Sequence, residues 1–220
     1  TLKIIYDRDK EIENFKESSY YKLLISLKSK DNIEFESLYY ENSSEKFEKK
    51  DYLDNLSKIL KEKQAVVVDK EIEKKREYPQ SLFNLSNLQG YITSKYKGWT
   101  SDKVLKVAQG LYEKKLITYP RTASSVLEES LVDKARKVLE THKKGLPYEN
   151  QIKFVQSKRV FDNSKVESHS AITPTYVIPK GLTTEEQHVY NAIKNRFIMQ
   201  FMPVAEFEET KITLKVNDEL

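Results

Sequence analysis

Cysteine is missing from all 220 residues, which excludes a disulfide framework and any thiolate metal site. There is no apolar run of about 18 residues and no signal-peptide pattern. A membrane span and a secretory route are therefore not expected, and an intracellular, cytoplasmic protein is the default. Histidine is scarce, at three residues, so any imidazole chemistry has few candidates. No internal repeat or low-complexity segment is visible. An initiating methionine is also lacking: the sequence opens at Thr1 and stops at Leu220 within a strand-like pattern. It reads as a fragment of a longer polypeptide.

What is present is a highly solvated but foldable chain. Hydrophobic residues make up 38% and charged residues 33%, enough apolar material for one generous core or two modest ones. The formal charge of +4 conceals an asymmetry. Residues 81–175 carry 16 basic and 9 acidic side chains, a net of +7, while the flanks carry 22 and 25, a net of −3. A basic middle between acidic flanks suits a phosphate-binding module on a neutral scaffold. A lysine-rich solvated surface has the same count.

The first eighty residues read as strands and one helix. Tyr20 to Leu27 and Asn32 to Tyr39 are rich in aromatic and branched residues around the polar turn Ser29-Lys30-Asp31, which predicts a hairpin. Lys50 to Lys63 places Leu53, Leu56, Ile59 and Leu60 at helical spacing, with acids early and lysines late. A strand from Ala65 to Ile72 follows, and the charged run Glu73 to Glu77 with Tyr78-Pro79 reads as an exposed linker and domain boundary.

The middle reads as a helix-turn-helix. Ser86 is the predicted cap of a helix to about Tyr96, Gly98-Trp99 turns the chain, and Thr100 or Ser101 caps a second helix through Lys114. Leu116 to Tyr119 is β-like, and Pro120 keeps it from pairing as a central strand. Ser124 and Ser125 precede an amphipathic helix that turns Leu127, Leu131, Ala135, Val138 and Leu139 inward. Ile152 to Val155 and Arg159 to Phe161 could pair as a wing, and helix-turn-helix plus wing is a DNA-docking architecture. After Pro179, Thr183-Thr184-Glu185-Glu186 resembles a capping box opening a helix to about Gln200, and Phe207 to Val216 alternates as a strand.

One short string carries the chemistry. Leu116-Ile117-Thr118-Tyr119-Pro120-Arg121-Thr122-Ala123-Ser124 brings a phenol, a guanidinium and small hydroxyls together. An oxygen nucleophile attacks a phosphodiester well when a fixed cation neutralises the charge that builds on phosphate. A free phenol has a pKa of about 10 and is a weak nucleophile at neutrality, but phenoxide leaves readily, so a phosphotyrosine bond is reversible. Arg121 is two residues from Tyr119, on the same side of an extended chain. Thirteen other tyrosines show that a packing role is the ordinary one, and Arg121 could equally form a surface ion pair.

The wider order of motifs adds to this. Leu82-Phe83-Asn84-Leu85-Ser86-Asn87-Leu88-Gln89, then Ala108-Gln109-Gly110-Leu111-Tyr112-Glu113, then the tyrosine string, then His169-Ser170-Ala171-Ile172-Thr173-Pro174-Thr175 together resemble type IA DNA topoisomerases, the bacterial topoisomerase III branch in particular. Thr1 to Asp9 looks like the family's return into its arch domain. The resemblance spans essentially the whole chain and is densest from Leu82 to Thr175. It implies an α+β fold: a discontinuous β-rich arch domain, 1–80 plus 176–220, around an inserted, mainly helical, winged-helix-like domain, 81–175, that carries the tyrosine. The final strand would return to pair with the first domain.

The same resemblance implies the roles. Tyr119 would take the 5′-phosphate of a cut strand, Arg121 would clamp that phosphate, and His169 would lie beside it. Ser86 and Gln89 match positions that approach the bound strand, and Lys165 is a candidate phosphate contact; capping and packing are the plain readings of the first two. His142 and His188 fit no motif and read as structural. Three residues depart from the family pattern: Ala123 where an aspartate is usual, Ser125 where arginine is common, and Ser170 where a second histidine is common. The implied partners are single-stranded DNA and the rest of the same polypeptide, whose N-terminal acidic domain would hold magnesium. No metal site is expected in these 220 residues, since Asp7 and Asp9 alone do not supply several convergent oxygens. A nucleoid location in a bacterial cytoplasm follows from the resemblance. The rival readings are a non-catalytic winged-helix DNA-binding module in which Tyr119 only packs, and another tyrosine transesterase, a recombinase or relaxase.

Overall fold

A computed structural model describes residues 2–216, so positions 1 and 220 of the terminal readings lie outside it. Helices and strands are mixed, and the chain divides into two compact units, 1–72 with 210–220 and 73–209.

The first unit begins with a helix the sequence reading did not anticipate, α1 (Leu2–Glu13). It buries nothing: Leu2 is 85% exposed. Local ion pairs Arg8–Glu11 and Lys10–Glu13, both 2.8 Å, support it, and the Asn14 amide donates to the Lys10 carbonyl at its end. Because no apolar stripe faces a core, hydrophobic periodicity carried no signal there.

The hairpin is present. β1 (Leu24–Lys28) pairs antiparallel with β2 (Glu34–Leu38), Leu24 opposite Leu38 and Lys28 opposite Glu34. Ser29 closes the turn, with its hydroxyl accepting from Ile33 N and its carbonyl from Asn32 N. Asn32 adopts φ 62°, a left-handed conformation that asparagine tolerates better than most residues. α2 (Lys50–Leu60) buries Leu53 and Leu56, and ends three residues before the expected Lys63.

β3 (Ala65–Glu77) corrects the linker reading, since the charged run from Glu73 belongs to the strand. Its partner β4 (Ala205–Val216) supplies the opposite charges: Arg76–Glu206 at 2.8 Å, Lys74–Glu208 at 3.9 Å, and Lys75 with Glu209. Glu71–Lys211 continues the series, stepping in opposite directions along the two strands as an antiparallel pair does. The division between the units falls inside both strands.

In the second unit, α3 (Leu85–Lys95), α4 (Ser101–Glu113), α5 (Val132–Lys143) and α6 (Thr184–Met199) enclose two apolar clusters. One gathers Leu88, Ile92, Val104, Leu111, Ile117 and Ile172. The other gathers Leu127, Val138, Leu139, Ile152, Phe161 and Phe201. α6 contributes Val189 and Ile193 to the first and Phe197 and Ile198 to the second. That double burial places 176–209 with the tyrosine string, where the sequence boundary had grouped it with the β-rich part. The capping box is as read, with Thr183 accepting from Glu186 N and Glu186 accepting from Thr183 N.

Three local expectations are corrected. The cap of α3 is Asn84, not Ser86: its side chain accepts from Asn87 N at 2.8 Å. α5 begins only at Val132, because 124–128 is tied to other segments, Val126 O accepting from Ala171 N and Leu127 N donating to Val160 O. No wing pairs 152–155 with 159–161. Ser157 O instead accepts from Val160 N and Phe161 N, and Phe154 stacks on Phe201 at 5.0 Å, so packing into a shared core replaces cross-strand pairing.

Candidate active site around Tyr119

Two segments lie side by side at the site. Thr118 N donates to Thr173 O (2.9 Å), Thr175 N to Leu116 O (3.0 Å), and Ile117 forms a bridge with Pro174. Side chains tighten the seam. Thr118 Oγ1 donates to Ala171 O at 3.1 Å and accepts from Thr173 N at 2.9 Å. Thr122 Oγ1, in a residue 7% exposed, donates to His169 O at 2.8 Å and accepts from Ser124 N at 3.1 Å. On the other flank Leu85 N donates to Thr122 O, and the Asn84 amide to Ala123 O at 2.9 Å. The β-like run 116–119 thus forms bridges, not a strand, as Pro120 requires.

This frame brings the Tyr119 and His169 rings into an edge-to-face contact, centroids 4.8 Å apart at 61°. Tyr112 meets the other side of Tyr119 at 5.4 Å and 72°. Tyr119 is half-buried, while Arg121 and His169 are exposed. Among the described residues Arg121 has no hydrogen-bond or ion-pair partner. Ala123 offers only its carbonyl, so no carboxylate adjoins the guanidinium from that position. Ser170 accepts from Glu128 N at 3.1 Å and is occupied by the fold.

A cleft of about 500 Å³ opens beside the phenol, with Lys115 and Lys134 on its rim together with Tyr112, Thr118 and Thr175. Sequence reasoning missed the two lysines and Tyr112. Tyr112 lies in a quoted motif, whereas Lys134 has no local signal and arrives only because α5 packs nearby.

The remaining candidates separate. Ser86 lines a groove of about 860 Å³ on the outer face of α3, with Asn87, Tyr91, Lys95 and Arg196. Arg196 stacks over Phe83 at 4.1 Å and donates to Ser81 O at 3.0 Å. Gln89 does not line it; its amide donates to Ser101 O at 2.9 Å and ties α3 to the start of α4. Lys165 pairs with Asp162 at 3.2 Å. The Asp162 carboxyl is held below the usual carboxylate range, first by the Ser164 hydroxyl and then by Lys165. His142 is buried, its Nε2 bonded to Thr175 O at 2.7 Å, and burial pulls its pKa below the ordinary 6.5. His188 stacks on Tyr96 at 4.0 Å and 9°.

Among the described residues no group of three or more His, Cys, Asp or Glu side chains converges to hold a metal ion. No described helix is long and apolar enough to cross a membrane.

A family model for DNA topoisomerases matches residues 1–220. DNA topoisomerase 3 of Staphylococcus aureus strain USA300 is 31% identical over 225 residues, covering 98% of this chain and 30% of the relative. The enzyme of strain MRSA252 matches to the same extent. Among solved structures, full-length topoisomerase I from Thermotoga maritima superimposes with a TM-score of 0.68 at 25% identity, covering 98% of this chain and 35% of that one. The chain therefore belongs to the type IA DNA topoisomerases and is similar to bacterial topoisomerase III. It spans about a third of the length of the relatives it matches.

Proposed function

We propose that this chain is the strand-cutting part of a type IA topoisomerase, with Tyr119 as the nucleophile on single-stranded DNA. The observation that carries the reading is the edge-to-face contact with His169 of Tyr119, two residues before an Arg121 that has no partner among the described residues. In the proposed step the Tyr119 phenolic oxygen attacks a backbone phosphorus. The bond from phosphorus to the 3′-oxygen breaks, leaving the 5′-phosphate on Tyr119 and a free 3′-hydroxyl. The phenol loses one proton and the 3′-oxygen gains one, so resealing is the same step reversed and needs no ATP.

Arg121 supplies a planar guanidinium able to hold two phosphate oxygens. His169 donates a hydrogen bond to a nonbridging oxygen or the strand backbone. Lys115 and Lys134, on the cleft rim, neutralise neighbouring phosphates. Ser86 contacts the strand further along; Gln89 acts by holding α3 against α4, and Lys165 by reaching phosphate only when it leaves Asp162. Magnesium and passage of a second strand belong to the longer polypeptide, in a bacterial cytoplasm at the nucleoid, and these 220 residues alone do not relax supercoiled DNA.

The test uses the full-length enzyme. Tyr119→Phe removes one oxygen and keeps the ring, so stability should hold while the denaturant-resistant protein–DNA adduct disappears. Arg121→Lys should slow cleavage without abolishing it. An adduct that persists in the phenylalanine variant defeats the assignment. A silent Tyr119→Phe in every assay supports the rival in which the ring only packs.

A further inference from the structure

The seam fixes the backbone around Tyr119, but it does not aim the side chain. No hydrogen bond reaches the Tyr119 hydroxyl among the described residues. The phenol is held by ring packing: His169 on one side, centroids 4.8 Å apart at 61°, and Tyr112 on the other, 5.4 Å apart at 72°. Aromatic pairs prefer such edge-to-face angles, so they fix a direction that plain apolar packing does not.

The two neighbours are held differently. His169 is exposed, and only its backbone carbonyl is bound, by the Thr122 hydroxyl. Its imidazole makes no hydrogen bond among the described residues, which leaves it able to turn towards a strand. Tyr112 lies in the last turn of α4, and that turn is locked. Lys115 N donates to Tyr112 O at 2.8 Å and Leu116 N to Leu111 O at 2.9 Å, the pair of bonds that closes a helix around a left-handed residue, in this case Lys115 at φ 61°. The Lys115 carbonyl accepts from the Thr175 hydroxyl at 2.6 Å, and Thr175 N donates to Leu116 O at 3.0 Å. Thr175 belongs to the segment that lies beside 116–118, so Tyr112 and Tyr119 stand on one hydrogen-bonded frame.

We infer that Tyr112 is a positioning residue, whose ring holds the Tyr119 phenol at its angle of attack while His169 turns to the phosphate. The inference rests on Tyr119 being the nucleophile. A bond to phosphorus forms only along a narrow line of approach, and loss of that alignment costs rate rather than affinity. Tyr112 is uncharged, whereas strand affinity comes mainly from phosphate contacts.

Single-turnover cleavage of a single-stranded oligonucleotide by the full-length enzyme tests it. At saturating strand, Tyr112→Leu should slow adduct formation about two- to tenfold, the change that loss of one such ring pair produces. The dissociation constant for the strand should stay within about twofold. The final level of adduct should match the parent's, because positioning acts on cleavage and resealing alike. Tyr112→Phe keeps the ring and should run at the parent's rate. Tyr112 is 39% exposed and leucine is a good helix former, so the fold should survive. Tyr112→Met, also ringless, should repeat the leucine result. Full speed in either ringless variant overturns the inference. So does a phenylalanine variant as slow as leucine, which would assign the effect to the hydroxyl, or a loss lying wholly in strand affinity, which would make Tyr112 a strand contact. An adduct that persists in Tyr119→Phe removes the nucleophile itself, whereas an inactive Tyr119→Phe beside a full-speed Tyr112→Leu removes only the role given to Tyr112.

Discussion

Thr122→Val removes one hydroxyl and keeps the shape of the side chain. That hydroxyl donates to His169 O at 2.8 Å and accepts from Ser124 N at 3.1 Å, in a residue 7% exposed. Each bond contributes about 0.5–1.5 kcal/mol net, and a partner left dry costs about 1–3 kcal/mol. Two bonds lost at once give a loss of about 2 kcal/mol in urea unfolding, read as a lower midpoint at unchanged slope. Thr122→Ser keeps both bonds and should lose less than half as much. The same hydroxyl sets the Tyr119 loop against the segment bearing His169, so adduct formation in the full-length enzyme should slow more in the valine variant than in the serine one. A valine variant within about 0.5 kcal/mol of the parent would show that water replaces the hydroxyl, and the clamp would not be the source of the geometry.

Asn84→Ala deletes the α3 cap and the amide bond to Ala123 O, which should cost about 1–2 kcal/mol by the same unfolding measurement. A loss below a few tenths would mean that neither bond matters in solution. His142 has a pKa depressed by burial, so the unfolded chain takes up its proton first as pH falls below 6.5. Stability should therefore be full above pH 6.5 and fall on acidification below it, down to the lower pKa of the folded state. His142→Gln should flatten that part of the profile, and an unchanged slope would place the acid sensitivity elsewhere.

Local pattern was enough for some of this structure. α4, with Thr100 as its cap, and α6, with its reciprocal Thr183–Glu186 box, are written in adjacent residues, and the structure follows them. The tyrosine string stands out by its short spacing alone, whereas its contact with His169 comes from a segment fifty residues further on. What was not legible depends on partners far along the chain. The run from Glu73 is a strand because β4, far along the chain, pairs with it, and Glu206, Glu208 and Glu209 meet its basic side chains there. Residues 124–128 stay outside the helix, where Ala171 and Val160 offer backbone bonds that a helix would forgo. Ser86 and Asn84 are equally good caps by type; in the structure Asn84 takes the Asn87 amide, and its own amide ties the cap to Ala123 O, a partner no local window shows. Lys134 reaches the cleft by helix packing, which no local window encodes.

The seam that holds Tyr119 is made with main-chain carbonyls: those of His169, Ala171 and Thr173 receive the threonine hydroxyls and the Thr118 amide. A peptide carbonyl is the same whatever side chain hangs from it. The alternate side chains of that segment are thereby released from the task of placing the phenol. Ser170 can replace a histidine there, and the tyrosine keeps its seat. Drift in this stretch changes what the cleft presents before it changes where the phenol oxygen sits, so new side chains can be sampled on an undisturbed scaffold.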